Sequence, residues 1–192
     1  DWKNQIQALR WNHELGPRMF SNVSMTHSVY NFNTGVDFQE QSISATDTIP
    51  TRFASLYRSG IEDYAAKIDV DFAPNARHFI RFGGNVTRHQ FSPGALQFEL
   101  DFGQENPLDT LIGQGDLVSF EQYLYVEDEI DVAENVTVNV GTHGSMLDVE
   151  DTTYFSLQPR LALNWKFTPG WAFKASYANM VQYVNLLTNE GL

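Results

Sequence analysis

Cysteine is absent from all 192 residues, which excludes disulfides, thiolate zinc sites and a cysteine nucleophile together. Also lacking is any apolar run of about 18 residues, so no stretch can cross a bilayer as a helix. A β-barrel is then the one way this chain could span a membrane. Positive charge is scarce: 12 Lys plus Arg stand against 24 Asp plus Glu, a formal charge of -12. Such a chain has no general attraction for phosphate backbones, and nucleic acid is not an expected partner. Short catalytic and metal signatures are missing as well. There is no HExxH among the five His, no GxSxG elbow and no EF-hand spacing. No enzymatic activity, cofactor or metal is expected.

Aromatic residues are plentiful, at 14%, with 14 Phe, 8 Tyr and 4 Trp. A chain this rich in rings is folded, since disordered chains are poor in them. The residues alternate. From Tyr64 to Phe72, one face carries Tyr64, Ala66, Ile68, Val70 and Phe72 and the other Ala65, Lys67, Asp69 and Asp71. After the turn Ala73–Arg77, Ile80, Phe82, Gly84 and Val86 stand opposite Arg81, Gly83, Asn85 and Thr87. The same design joins Leu124, Val126, Ile130 and Val132 through Ala133–Asn135 to Val136, Val138 and Val140. Tyr123, Tyr125, Glu127, Glu129 and Asp131 lie on the opposite parity, and Asp128 interrupts the apolar one. In SLQPRLALNWKFTPGWAFKASY, Leu157, Pro159, Leu161, Leu163, Trp165, Phe167, Trp171, Phe173, Ala175 and Tyr177 share one face, while Arg160 and Lys174 take the other. A less regular unit pairs Leu9 and Trp11 with Val23, Met25 and Val29.

Period-2 alternation with turn residues between runs predicts hairpins. Four hairpins give about eight strands and an all-β, antiparallel fold. Soluble β-sandwich strands alternate too, but they are commonly near 5 or 6 residues long. Runs of about 9 to 12 residues suit a tilted strand crossing a bilayer. Rings beside the tight turns, namely Trp11 and Phe20, Phe72 and Phe79, Trp165, Phe167, Trp171 and Phe173, stand where an interfacial girdle belongs. The expectation is a transmembrane β-barrel with tight periplasmic turns. Its long extracellular loops fall at about residues 31–60 and 92–118, with a shorter link around Asp148–Thr153. Strand parity then puts both chain ends outside, so residues 1–192 are expected to be one section of a larger barrel. The opening DWKNQIQ, without an initiator Met or leader, fits a processed or partial chain.

Three stretches carry a resemblance: FASLYRSGIEDYAAKIDVDFAPNARHFIRFGGNVTRHQFSPG, YVEDEIDV, and SLQPRLALNWKFTPGWAFKASYANMVQYVNLLTNEGL. Together they resemble the barrel of TonB-dependent outer-membrane transporters, especially the branch common in Bacteroidota. The resemblance implies a Gram-negative outer-membrane location. It also implies a parent barrel of about 22 strands around the protein's own plug domain, energised by the TonB complex. Neither plug nor TonB box is present in this stretch. A surface lipoprotein partner of the SusD type is compatible with that branch. The cargo would be a nutrient: a siderophore, cobalamin, a glycan or a peptide. Two other readings remain, a passive porin or structural barrel and a soluble carbohydrate-binding β-sandwich.

On the barrel reading, Arg81, Arg160, Lys174, Asp69, Asp71, Glu127 and Glu129 are the lumen-facing candidates for contact with plug or cargo. Ile68, Val70, Leu161, Leu163, Trp165 and Phe173 are expected to face lipid. The carboxylate-rich stretch 98–116 is expected to be an ordinary external loop, with a calcium site as the lesser alternative.

Overall fold

A computed structural model of the chain describes residues 1–43, 48–101, 108–113, 115 and 116, and 117–184. Nine strands follow one another: β1 (Trp2–Gly16), β2 (Met19–Ile43), β3 (Thr48–Asn75), β4 (His78–Asp101), β5 (Leu108–Ile112), β6 (Leu117–Ala133), β7 (Val136–Val149), β8 (Thr152–Thr168) and β9 (Trp171–Ala178). They form one sheet in the order β1-β2-β3-β4-β6-β7-β8-β9, with β5 paired to β4 off this path. Apart from β5 and β6, sequence neighbours are sheet neighbours, as expected of a meander of hairpins.

The hairpin turns fall where turn residues cluster. Pro17–Arg18, Ala76–Arg77, Glu134–Asn135 and Pro169–Gly170 are each two-residue connections. Gly170 has φ 89°, and Pro before Gly in that conformation is the type II pattern: Pro presets the first φ and Gly accepts the positive second one. A repeated stitch joins each hairpin to the next. The carbonyl of Arg18 accepts from Ala73 N at 2.9 Å, that of Arg77 from Asp131 N at 2.8 Å, and that of Asn135 from Lys166 N at 2.8 Å. Asn135 also donates its side-chain amide to Lys166 O at 3.0 Å.

Several expectations change. Residues 31–43, 48–60 and 92–101, read as loop, are continuous with β2, β3 and β4, which run 25, 28 and 24 residues. Alternation runs on into two of them, Phe32, Val36 and Phe38 against Asn31, Asn33, Asp37 and Gln39, and Leu96, Phe98 and Leu100 against Gln97, Glu99 and Asp101, while residues 48–60 mix both kinds on each parity. Nor is the Asp148–Thr153 link a loop. It is the two-residue turn Glu150–Asp151, clasped by Thr153 Oγ1 donating to Asp148 Oδ1 at 2.6 Å. Glu150 takes φ 51° there, a left-handed conformation that side chains with a Cβ adopt at a cost. The resembling end TNEGL lies outside the described residues, as do 102–107 and 114 of the carboxylate-rich stretch.

Two compact units divide the chain. The first comprises Asp1–Gln7, Thr26–Tyr64 and Arg88–Ser119, and the second Ala8–Met25, Ala65–Thr87 and Phe120–Leu192. Within the second unit the usual arrangement of a core is inverted. Its buried polar side chains include Gln158 at 2% exposure and Ser145 at 4%, while Leu124 is 74% and Leu161 51% exposed. Among the described residues only Val70 and Leu147 are buried large apolar side chains. Water-soluble domains do the opposite.

Candidate functional site

The second unit carries a polar wall on one face and an apolar wall on the other, and the register across β7, β8 and β9 fixes both. On the apolar face the rows read Val140–Leu161–Tyr177, Val138–Leu163–Ala175 and Val136–Trp165–Phe173. On the polar face they read Gly141–Arg160–Ala178, Asn139–Ala162–Ser176 and Thr137–Asn164–Lys174. Strand pairs present the same parity to the same side, so one register sets a whole face. Arg160 and Leu161 therefore stand on opposite faces. A register shift between Lys166 and Thr168 locally interrupts the pairing beside Phe167, whose ring lies 5.5 Å from that of Trp165.

The expected polar residues come together in part. Arg81 Nη1 donates to Glu127 Oε1 at 3.2 Å, and Arg81 Nε lies 3.7 Å from Asp71 Oδ1. Its guanidinium also sits 4.8 Å from the centre of the Phe79 ring. Phe79, expected beside Phe72 in an outer girdle, thus belongs with the polar wall, where it supports a cation. Asp69 accepts from Tyr125 Oη at 2.7 Å and pairs with Lys67 Nζ at 2.9 Å. Two glycines make room for these groups. A Cβ on Gly83 would fall 2.9 Å from a Tyr125 ring carbon, and one on Gly141 would fall 2.8 Å from Glu127 Cβ. Lys174 and Glu129 do not join this network. They line a shallow polar hollow of about 430 Å³ with Asn139 and Asn164. Arg160 has no carboxylate within ion-pair distance among the described residues. Arg160 Nε, His143 Nδ1 and Asn164 Oδ1 are buried atoms without a hydrogen-bond partner there.

Of the expected apolar residues, Ile68, Leu161, Trp165 and Phe173 are exposed, Leu163 is half-buried and Val70 is buried. A groove of about 600 Å³ runs among Ile68, Gly84, Val86, Leu124, Met146 and Phe155. Asp128, which interrupts the apolar parity of β6, accepts from His78 Nδ1 at 2.7 Å, so its charge has a partner at the start of β4.

Pairings that sequence reasoning missed join residues well separated in sequence. Tyr123 packs on His143 with ring centres 4.7 Å apart. Gln158 Nε2 donates to Ser145 Oγ at 2.8 Å, and Ser145 Oγ meets Tyr183 Oη at 3.0 Å. Residue types alone carried no signal for these, because register decides who meets whom.

The first unit is held by another kind of contact. Arg52 grips Asp37 with two bonds, of 2.8 and 3.2 Å, and reaches Glu99 at 3.4 Å. That tie joins β2, β3 and β4. The guanidinium hydrogen bonds hold the Asp37 carboxyl below the usual carboxylate range. Ser92 and Gln90 donate to Asp116 at 2.8 Å each and hold it down likewise. His27 stacks on Tyr64 with ring centres 4.4 Å apart and bonds Glu62 at 2.8 Å. No group of His, Asp or Glu among the described residues is arranged to hold a metal ion.

Comparison with known proteins bears on the fold. The chain is similar to the ferric preacinetobactin receptor BauA of Acinetobacter baumannii, at TM-score 0.59 and 10% identity, over 91% of this chain and 30% of that one. It is also similar to FpvA of P. aeruginosa, solved with a pyoverdine–iron complex, at TM-score 0.60 and 11% identity, over 90% of this chain and 26% of that one. The chain therefore spans less than a third of the length of either receptor. No curated protein matches it. The family model described as TonB dependent receptor-like, beta-barrel matches residues 1–182, and the chain belongs to that family.

Proposed function

We propose that the chain is a section of the barrel wall of an outer-membrane, TonB-dependent transporter that imports a nutrient ligand into the periplasm. The observation that carries this reading is the pair of opposed faces across β7, β8 and β9. A wall with exposed Val, Leu, Trp and Phe on one side and Arg, Asn and Lys on the other fits a lipid-facing exterior and a water-filled interior. Arg81, Arg160, Lys174, Asp69, Asp71, Glu127 and Glu129 are then lumen residues, and Ile68, Val70, Leu161, Leu163, Trp165 and Phe173 meet lipid. The buried, unpartnered atoms of Arg160, His143 and Asn164 leave capacity for a group brought from within the barrel, either the protein's own plug or its cargo.

Strands of 24 to 28 residues exceed the roughly 9–11 that a tilted strand needs to cross a bilayer. The surplus in β2, β3 and β4 is read as projecting outside the cell to capture ligand. The tight turns at Pro17–Arg18, Ala76–Arg77, Glu134–Asn135 and Pro169–Gly170 are read as periplasmic. The host is a Gram-negative bacterium, and the stretches YVEDEIDV and QPRL favour the Bacteroidota branch, in which a SusD-type lipoprotein is a candidate partner. The chain acts as a transporter wall and not as an enzyme. BauA is a ferric preacinetobactin receptor, so ferric siderophores are the first cargo to try, ahead of cobalamin, glycans and peptides.

Single cysteines in the full-length protein test the faces. Arg160→Cys is expected to react with a water-soluble maleimide in intact outer membranes, and Leu161→Cys only with a lipid-partitioning reagent. The reverse pattern overturns the reading. Uptake that persists when TonB is deleted would instead mark a passive barrel.

A further inference from the structure

The pair Gln158–Pro159 does something that the wall itself does not require. β9 pairs with β8 as far as Arg160↔Ala178. At the next rung Asn179 N still donates to Pro159 O at 3.1 Å. In an antiparallel ladder the residue that accepts this bond returns one from its own N–H. Proline has none, so the rung closes on one side only and the ladder stops. Beyond it, Val181 N donates at 3.3 Å to the side-chain carbonyl of Gln158, and not to the backbone of β8.

A side chain thus stands between β8 and the segment 179–184. Gln158 is engaged at both ends, since its amide nitrogen donates to Ser145 Oγ on β7. Tyr183 then reaches over β8 and donates to Ser145 O at 3.0 Å, its oxygen lying 3.0 Å from Ser145 Oγ. Gln158 and Ser145 share the polar face, because His143↔Gln158 and Ser145↔Ser156 are register pairs. Both are buried, whereas Met180 and Val181 above them are exposed.

We propose that Pro159, Gln158 and Ser145 are positioning residues that turn segment 179–184 out of the sheet and pin it, through Tyr183, across the polar wall as an inner ledge. Cargo or plug at this point of the lumen meets Asn179–Val184, not β8. This rests on the polar face being the lumen, and the test separates the two.

In the full-length protein in outer-membrane vesicles, amide hydrogen exchange is followed for the segment 179–184 and, as an internal control, for β9. Tyr183→Phe and Gln158→Ala are each expected to speed exchange in the segment about five- to tenfold, the loss of one or two hydrogen bonds, with β9 unchanged. Ser145→Ala does the same, and Ser145→Thr, which keeps the hydroxyl, stays at the parent rate. Pro159→Ala restores the missing donor, so Asn179 and Val181 become more protected as β9 lengthens. Met180→Cys is expected to react with a water-soluble maleimide. If only a lipid-partitioning reagent reaches it, the lumen reading fails. If labelling comes from water but the variants exchange like the parent, the ledge alone is overturned. Unchanged protection in Pro159→Ala also counts against it.

Discussion

The two compact units are built on one set of strands and held by different forces. In the second, order is in the ladder: faces segregate by parity, and the apolar rows stay exposed because a bilayer, on the proposed reading, completes them. In the first, parity still sorts the ends of β2 and β4 but not the start of β3, and ties between side chains are added to the ladder. Phe32, Val36 and Phe38 alternate with Asn31, Asn33, Asp37 and Gln39, and the strands are tied by Arg52 between Asp37 and Glu99 and by rings such as Trp2–Phe32–Tyr57, each pair with centres 6.4 Å apart.

A charge on the apolar face separates the units most sharply. Leu161→Arg is expected to cost about 2–4 kcal/mol, the penalty for a cation at mid-bilayer on a barrel wall, seen as loss of the folded, heat-modifiable band. Val36→Arg, at an equally exposed position of the first unit, should stay within about 0.5 kcal/mol. Equal costs would erase the distinction.

Close approaches come next. Gly83→Leu drives a side chain into the Ile68 carbonyl and the Tyr125 ring, an overpacking expected to cost about 1–3 kcal/mol in a urea titration. Gly60→Leu meets the amide end of Asn31 at 2.8 Å, which can swing aside, and the Tyr30 carbonyl at a milder 3.2 Å, and should cost less.

Arg52→Ala tests the ties. Faster hydrogen exchange is expected across β2 and β3 of the first unit, with the second unaltered. Acid should mimic it weakly. Asp37 is held below its ordinary value of 3.8, so its contribution is complete above about pH 4 and is lost as pH falls through the lower, folded value. Proteolysis of the first unit should therefore rise only under strongly acidic conditions. The smallest effect is a gain: Glu150→Gly relieves the positive φ and should stabilise the β7–β8 hairpin by about 0.5 kcal/mol.

These contrasts explain what the sequence could reveal. The parity of Ile68 against Asp69, or Leu161 against Arg160, was legible because a sheet with unlike surroundings on its two faces takes different residues at successive positions. The turns at Ala76–Arg77, Glu134–Asn135 and Pro169–Gly170 were legible because turn geometry selects its residues. Residues 31–43 and 92–101 read as loop although Phe32, Val36 and Phe38, and Leu96, Phe98 and Leu100, keep the period, because the Gly, amide and carboxylate residues among them read as turn chemistry. Phe79 read as girdle because a ring beside a turn carries no label for its face. Tyr125–Asp69 and Ser145–Gln158–Tyr183 were invisible for another reason: each partner is ordinary alone, and only the register brings them together.

The stitches between hairpins bear on how such a wall is made. A slip of one residue between hairpins would turn every side chain of the incoming pair to the wrong solvent. Asn135 grips both the N–H and the carbonyl of Lys166, and the carbonyl of Arg77 holds Asp131 N. In a slipped alignment these clasps open together at the turn. Each hairpin turn thus works as a gauge for the register of the next hairpin.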